Sequence, residues 1–214
     1  MFSFSKQTIK DMTDHCLAEN PNEACGVILG KTLLHQFKDI CTNDFSIEQG
    51  AILLNSCLVD DLKLSQSNIK KIITTLTNAS FEIRAQDVEN IVSVQDSLEF
   101  VAQHGGGDIA TSIVKITNTA KSPYRYQMDP QEFLDADKKA DRLDLGIVAF
   151  YHSHTHSAAY PSDTDVRLAI ESGWIDPYYV LISLENIDAH DIKMYQINVD
   201  GTVIEKNYSL SACS

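Results

Sequence analysis

The chain has 214 residues, 43% of them hydrophobic and 22% charged, the make-up of a globular protein with one ordinary domain or a small domain carrying a large insertion. Its formal net charge of −13 argues against wholesale nucleic-acid binding, which needs a basic footprint. The opening MFSFSKQTIK lacks the apolar core of a signal peptide, and the most apolar window, Gly50 to Val59, is too short and polar to span a bilayer, so a cytoplasmic protein with no membrane partner is expected.

In chain order, residues 5–19 read as a helix, with Ile9, Met12 and Cys16 at helical spacing and Asn20-Pro21 as its stop. EACGVILG, Glu23 to Gly30, is short, apolar and closed by glycine, a buried strand. Segments 47–64 and 67–78 have mixed helical character, and Phe81 to Val94 suits strand or helix. HGGGD at 104–108 is a flexible break rather than an oxyanion loop, since no GxSxG elbow accompanies it. Ala110 to Asn118 alternates as a strand does. A helix follows, with Asp129 as N-cap, Pro130 at its first position, Glu132 completing a capping box, and Phe133, Ala136, Ala140 and Leu143 as its apolar face up to Gly146. IVAFYHSH reads as a central strand, apolar on both faces at its start. Tyr178 to Leu184 is another strand, and IKMYQINVDGTVIEK is a hairpin turning at Asp200-Gly201. The five cysteines, at 16, 25, 41, 57 and 213, are odd in number, widely spaced and without a CxxC pair, as in reduced intracellular thiols. The element order predicts an α/β (α+β) domain of three layers.

The chemistry concentrates in FYHSHTHSAAYPSDTD, Phe150 to Asp165. Alternate strand residues share a face, so His152 and His154 project side by side about 6.5 Å apart at Cα, close enough to share one zinc. Ser162 fits an N-cap and Asp165 the third helical position, so a helix Asp165–Ser172 can begin beside the histidine strand and bring a carboxylate to the same metal. Two histidines and one aspartate leave a fourth tetrahedral position open, the catalytic type of zinc site. Taken singly, these signals are weak. An HxH pair, with His156 continuing the face, also suits an edge-strand surface, and Ser-x-x-Asp also serves as a plain helix cap.

Together, His152-Ser153-His154, seven residues, and Ser162-Asp163-Thr164-Asp165 resemble the JAMM (MPN+) metalloprotease signature. NPNEACGVILG resembles that family's glutamate-bearing strand, especially in small prokaryotic members, and nominates Glu23. The resemblance covers roughly residues 5–30 and 109–207. Residues 31–108 match no known pattern and read as an insertion of unknown fold after the first strand, within a single domain spanning 1–214. Other HxH families fit less well: the metallo-β-lactamase pattern needs Asp at position 156, and amidohydrolase barrels need about 250 residues.

The resemblance implies a cytidine-deaminase-like MPN domain with a central mixed sheet flanked by helices. It implies one zinc ion per chain on His152, His154 and Asp165, with Glu23 as general base and Ser162 stabilising the oxyanion. The implied substrate is an amide bond after the C-terminal tail of a ubiquitin-like or sulfur-carrier protein. A non-catalytic MPN scaffold and a small-amide zinc hydrolase are the alternatives. Cys25 and Trp174 are expected in the core, Tyr160 and Pro161 in the turn, and His156 outside the ligand set.

Overall fold

Eight strands among the described residues form one mixed sheet: β1 (Phe2–Ser5), β2 (Cys25–Lys31), β3 (Ile109–Ile116), β4 (Gly146–His154), β5 (Tyr178–Ser183), β6 (Asp191–Ile197), β7 (Val203–Lys206) and β8 (Tyr208–Ser211), in the order β7-β6-β5-β4-β2-β3-β1-β8. The structure, a computed structural model, describes residues 2–43, 45, 46, 49, 50, 53, 64–76, 91, 93–103 and 107–211. The chain divides into two compact units, residues 2–30 with 109–214, and residues 31–108. The first holds the sheet.

β4 lies centrally, antiparallel to β2 and parallel to β5. Its apolar residues go to two cores on opposite faces of the sheet. Ala149 and Tyr151 join Val180 and Ile182 in one core, which α1 (Lys6–Glu19) covers with Met12 and Cys16. Ile147 and Phe150 join Tyr179 and Leu181 in the other, which α5 (Pro130–Arg142) covers with Ala136 and Ala140 and α6 (Asp163–Ser172) with Ala169. This is the three-layer α/β arrangement expected for a strand apolar on both faces. The even-numbered face of β4, Phe150-His152-His154, is the face that looks towards α5 and α6.

The helix ends follow the sequence, with refinements. Ser5 caps α1 by accepting from Thr8 N, and the helix stops at Asn20 before Pro21. Asp129 caps α5 by accepting from Gln131 N and Glu132 N. Glu132 does not close a capping box. Its carboxylate instead accepts from Thr117 N (2.6 Å) and Thr117 Oγ1 (2.9 Å), tying the helix to the end of β3. Leu143 is 52% exposed and is the C-cap, not part of the apolar face, because the left-handed turn comes next at Asp144 (φ 52°). Gly146 opens β4 instead of stopping the helix. α6 begins at Asp163, two residues earlier than the sequence suggested, capped by Ser162 and ended by Gly173 in the left-handed region (φ 75°). The hairpin forms as read, with β6 and β7 antiparallel and Gly201 at φ 83°.

Two strands go beyond the sequence reading: β1 and β8, which pair with each other in parallel. Both are four residues long, too short for a periodicity argument. With β1 in place, the strand after Glu23 is the second, not the first.

Residues 31–108 have their own core. α2 (Leu33–Asn43), α3 (Gln66–Leu76) and α4 (Val94–Gln103) bury Phe37, Ile40, Ile69, Ile72, Ile73 and Val101. Their apolar residues recur at helical spacing, which resolves the mixed character of 67–76 as helix, residues 77 and 78 lying outside the described residues. Residues 81–90, 104–106, most of 47–64, Cys57 and Cys213 lie outside the described residues, as do most of the expectations placed on them.

Candidate metal centre

The triad is assembled by two adjoining elements. β4 ends at His154, with His152 and His154 on the face towards α6. The turn after β4 is fixed by its own bonds: Ser183 Oγ donates to Ser157 O (2.8 Å), Tyr195 Oη donates to Ala159 O (2.6 Å), and Leu184 N donates to His154 O (2.8 Å). The chain therefore re-enters as α6 with Asp165 in the first turn, back against the histidines.

His152 Nε2 lies 3.1 Å from His154 Nε2, and Asp165 Oδ2 lies 3.5 Å and 3.6 Å from the two nitrogens. All three residues are buried, and among the described residues they are the one group whose ligand atoms could hold a metal ion together. A tetrahedral zinc with bonds of about 2.0–2.1 Å sets its ligand atoms about 3.3 Å apart. The triangle has these edges, so the donor set fits that ion.

Hydrogen bonds orient His154 and Asp165 within the triad. His154 Nδ1 is 2.9 Å from Ala158 O, and a carbonyl only accepts, so Nδ1 carries a proton and Nε2 is left to face Asp165. His152 Nδ1 is buried without a hydrogen-bond partner, so its tautomer is not set from that side. Its ring lies against Tyr126 at 4.4 Å between centroids. Burial opposes ionisation of Asp165, but His152, His154 and Ser162 outweigh it and hold the carboxyl well below the usual range. Ser162 and Asp165 form a full capping box: Asp165 N donates to Ser162 Oγ (3.2 Å), while Ser162 N and Oγ both donate to Asp165 Oδ2 (2.7 Å each). The single proton of the Ser162 hydroxyl is thus directed at the aspartate.

Glu23 is only 6% exposed and lines a cleft of about 510 Å3 together with His154, Ser162 and Asp165. Burial pushes its carboxyl up to about 7, with Asp165 adding to the shift and His154 opposing it. A buried carboxyl near neutrality beside a possible metal position can move protons.

The family model for prokaryotic homologues of the JAB domain matches residues 5–198. The chain belongs to this family. Among curated relatives, the CysO-cysteine peptidase of Mycobacterium tuberculosis is 40% identical over 101 residues, 47% of this chain and 66% of its own length. The desampylase of Pyrococcus furiosus is 37% identical over 52 residues, 24% of this chain and 37% of its own length. The probable TtuB-protein conjugate cleaving protease of Thermus thermophilus is 35% identical over 69 residues, 32% of this chain and 45% of its own length. The match therefore spans just under two thirds of the mycobacterial relative and less of the other two. A solution structure of a Desulfitobacterium hafniense protein shares the fold, with a TM-score of 0.56 at 21% identity over 99% of this chain and 93% of that one.

Within this JAB domain the residues set aside by the sequence reading fall as follows. His156 is exposed, two residues past the end of β4, with its ring 5.6 Å from that of Tyr124; it lines the cleft and stands outside the triad. Cys25 is fully buried, donates to Ile116 O and has its thiol pushed up to about 12 by burial, which suits a core residue and not a nucleophile. Trp174 packs edge-on to Phe133 and Phe150. Tyr160 packs edge-on to Tyr195 beside the turn.

Three supporting residues escaped the sequence reading. Ser153, between the two histidines, points the other way: its Oγ accepts from Ala24 N (2.8 Å) and its N donates to Ala24 O (3.0 Å), which docks the Glu23 corner onto β4. Asn118 bonds the carbonyl of Glu23, and Tyr126 packs on His152. The strand alternation of HSH could have signalled Ser153. Neither Asn118 nor Tyr126 sits in a spacing pattern that marks it.

Proposed function

We propose that this JAB-domain protein is a zinc-dependent metallopeptidase that cleaves the amide or isopeptide bond following the C-terminal tail of a ubiquitin-like or sulfur-carrier protein. The observation that carries the reading is the triangle of His152 Nε2, His154 Nε2 and Asp165 Oδ2, with edges of 3.1, 3.5 and 3.6 Å, of which His154 and Asp165 line the same cleft as Glu23. The names of the relatives, a CysO-cysteine peptidase, a desampylase and a TtuB-conjugate protease, support the same class of substrate.

In this reading His152, His154 and Asp165 hold one zinc ion. When bound, zinc supplies a Lewis acid and makes water a nucleophile near neutral pH. Glu23 accepts a proton from the attacking water and returns it to the leaving amine, a task that suits a carboxyl pushed up to about 7 by burial. Ser162 divides its hydroxyl between capping α6 and stabilising the oxyanion, the second role needing the O–H to turn from Asp165 towards the substrate. Residues 31–108 are read as an insertion in this one domain. Gly30 and Ile109, where the chain leaves and re-enters the sheet, lie so close that a Cβ on Gly30 would be 2.1 Å from Ile109 O. The protein is read as acting in the cytoplasm.

The test is a panel of ubiquitin-like and sulfur-carrier proteins ending in Gly-Gly, each extended at its C-terminus by a cysteine, a peptide or a lysine-linked protein. Zinc-loaded protein should cleave at least one after the tail, and the cleavage should be lost in Glu23→Gln. Hydrolysis of simple acyl amides without cleavage of any panel member would overturn the substrate class. No hydrolysis of either would favour a binding module.

A further inference from the structure

Glu23 lies outside regular structure, just before β2 begins at Cys25, yet a general base must be held within a fraction of an ångström of its working position. Its backbone N–H and C=O are both held by one loop, residues 118–128. Glu23 N donates to Ser122 O (2.9 Å), and Glu23 O accepts from Asn118 Nδ2 (2.9 Å). Asn118 is 7% exposed and uses its whole side-chain amide on backbone groups. Nδ2 donates to Glu23 O and to Arg125 O (3.2 Å), and Oδ1 accepts from Ala120 N and Gln127 N (3.0 Å each). Two carbonyls and two N–H groups around one amide fix which end is oxygen and which is nitrogen. The bond to Ala120 is an Asx turn, and the bonds to Gln127 and Arg125 close the loop on itself. The residues the loop sends into the cleft, Tyr124, Arg125 and Tyr126, face it together with Glu23.

No other residue type of this size makes these four bonds. Asp lacks the two donors, Leu lacks all four groups, and Ser is too short to span them. We propose that Asn118 is a positioning residue: by bonding Glu23 O while closing loop 118–128, it locks the acid–base carboxylate to the wall of the substrate cleft. The inference deepens the reading of Glu23 as general base and rests on it for its catalytic consequence.

Two substitutions separate the links. Asn118→Ala removes all four bonds. Asn118→Asp keeps the acceptor for Ala120 N and Gln127 N and loses the donors to Glu23 O and Arg125 O. Amide hydrogen exchange on zinc-loaded protein should accelerate about tenfold at Ala120 and Gln127, whose N–H groups bond Asn118 Oδ1, in the first variant and stay unchanged there in the second, while the Glu23 carbonyl 13C shift should move in both as its donor is lost. On a Gly-Gly-tailed ubiquitin-like protein fused to a C-terminal reporter, kcat should fall about 100-fold in both, with zinc content unchanged and KM moving less than kcat. In a Glu23→Gln background neither substitution should cost further activity, because the group they position is already gone. An unchanged Glu23 carbonyl 13C shift in Asn118→Asp, or a full additive loss in the Glu23→Gln background, would overturn the assignment. So would failure of both variants to fold, since Asn118 would then support the domain as a whole. If wild type cleaves no fusion, the reading of the function fails, while the carbonyl shift still decides whether Asn118 holds Glu23.

Discussion

The metal half and the proton half of the candidate site are built in opposite ways. His152, His154 and Asp165 come from one strand end and the helix that follows it, within fourteen residues of chain, and the turn between them is closed by hydrogen bonds to β5 and β6. Glu23 comes from the other end of the sequence. It is placed by a serine wedged between the two histidines and by an asparagine 95 residues away. Ligands that must converge on a point within tenths of an ångström sit on regular elements. The group proposed to move a proton sits where a loop can tune its environment.

This contrast predicts that the two halves fail separately. The largest effect is expected for His154→Ala or Asp165→Asn, which leave two ligands and should abolish stoichiometric zinc binding in metal analysis of purified protein. His156→Ala should bind one zinc per chain as wild type does. A protein that loses zinc on His156→Ala and keeps it on His154→Ala would put the ligand register two residues out. Next comes Glu23→Gln, which should keep the zinc and lose roughly 10²–10⁴ in turnover of the tail substrate. If it loses zinc as well, the two halves are one.

The same contrast governs how much could be read in advance. The metal half was legible because strand period and helix-cap chemistry fix where residues two and three apart must point, and both are local rules. The two-sided core was legible for the same reason, since alternate residues of β4 and β5 are apolar on both faces. What stayed hidden is non-local. β1 and β8 exist because they pair with each other across the whole length of the chain. Glu132 left its capping box because Thr117, just past the end of β3, offered it two donors. Asn118 and Ser153 act on Glu23 and Ala24 through the fold alone. Glu23 itself was named only by its likeness to a family pattern, not by any physical rule of spacing.

Ser162 joins the two halves, since its hydroxyl donates to the proposed metal ligand Asp165 and is also the candidate oxyanion donor. Ser162→Ala should destabilise α6 by about 1 kcal/mol through loss of the cap. It should also weaken zinc binding roughly 10–100-fold, because Asp165 loses a bond that orients it. Titration with a competing chelator measures the second effect. A variant with wild-type zinc affinity but much lower turnover would move Ser162 wholly to the proton half.

The smallest effect concerns stability, and its sign follows from Glu23 alone. In the metal-free fold burial raises its carboxyl from the reference 4.5 to about 7, ahead of a further push from Asp165. Between those values the folded chain holds a proton that the unfolded chain has released, so unfolding free energy falls as pH rises. The stabilising contribution is complete below about 4.5 and gone above about 7. Glu23→Gln has no proton to lose, so urea unfolding of metal-free wild type and variant should diverge across this window by on the order of 1–2 kcal/mol, the variant gaining relative to wild type towards higher pH. Zinc on the triad favours the ionised carboxylate nearby and should flatten the difference. Divergence that persists undiminished in zinc-loaded protein would mean that Glu23 does not feel the metal, and the proton half would then stand apart from the site it is proposed to serve.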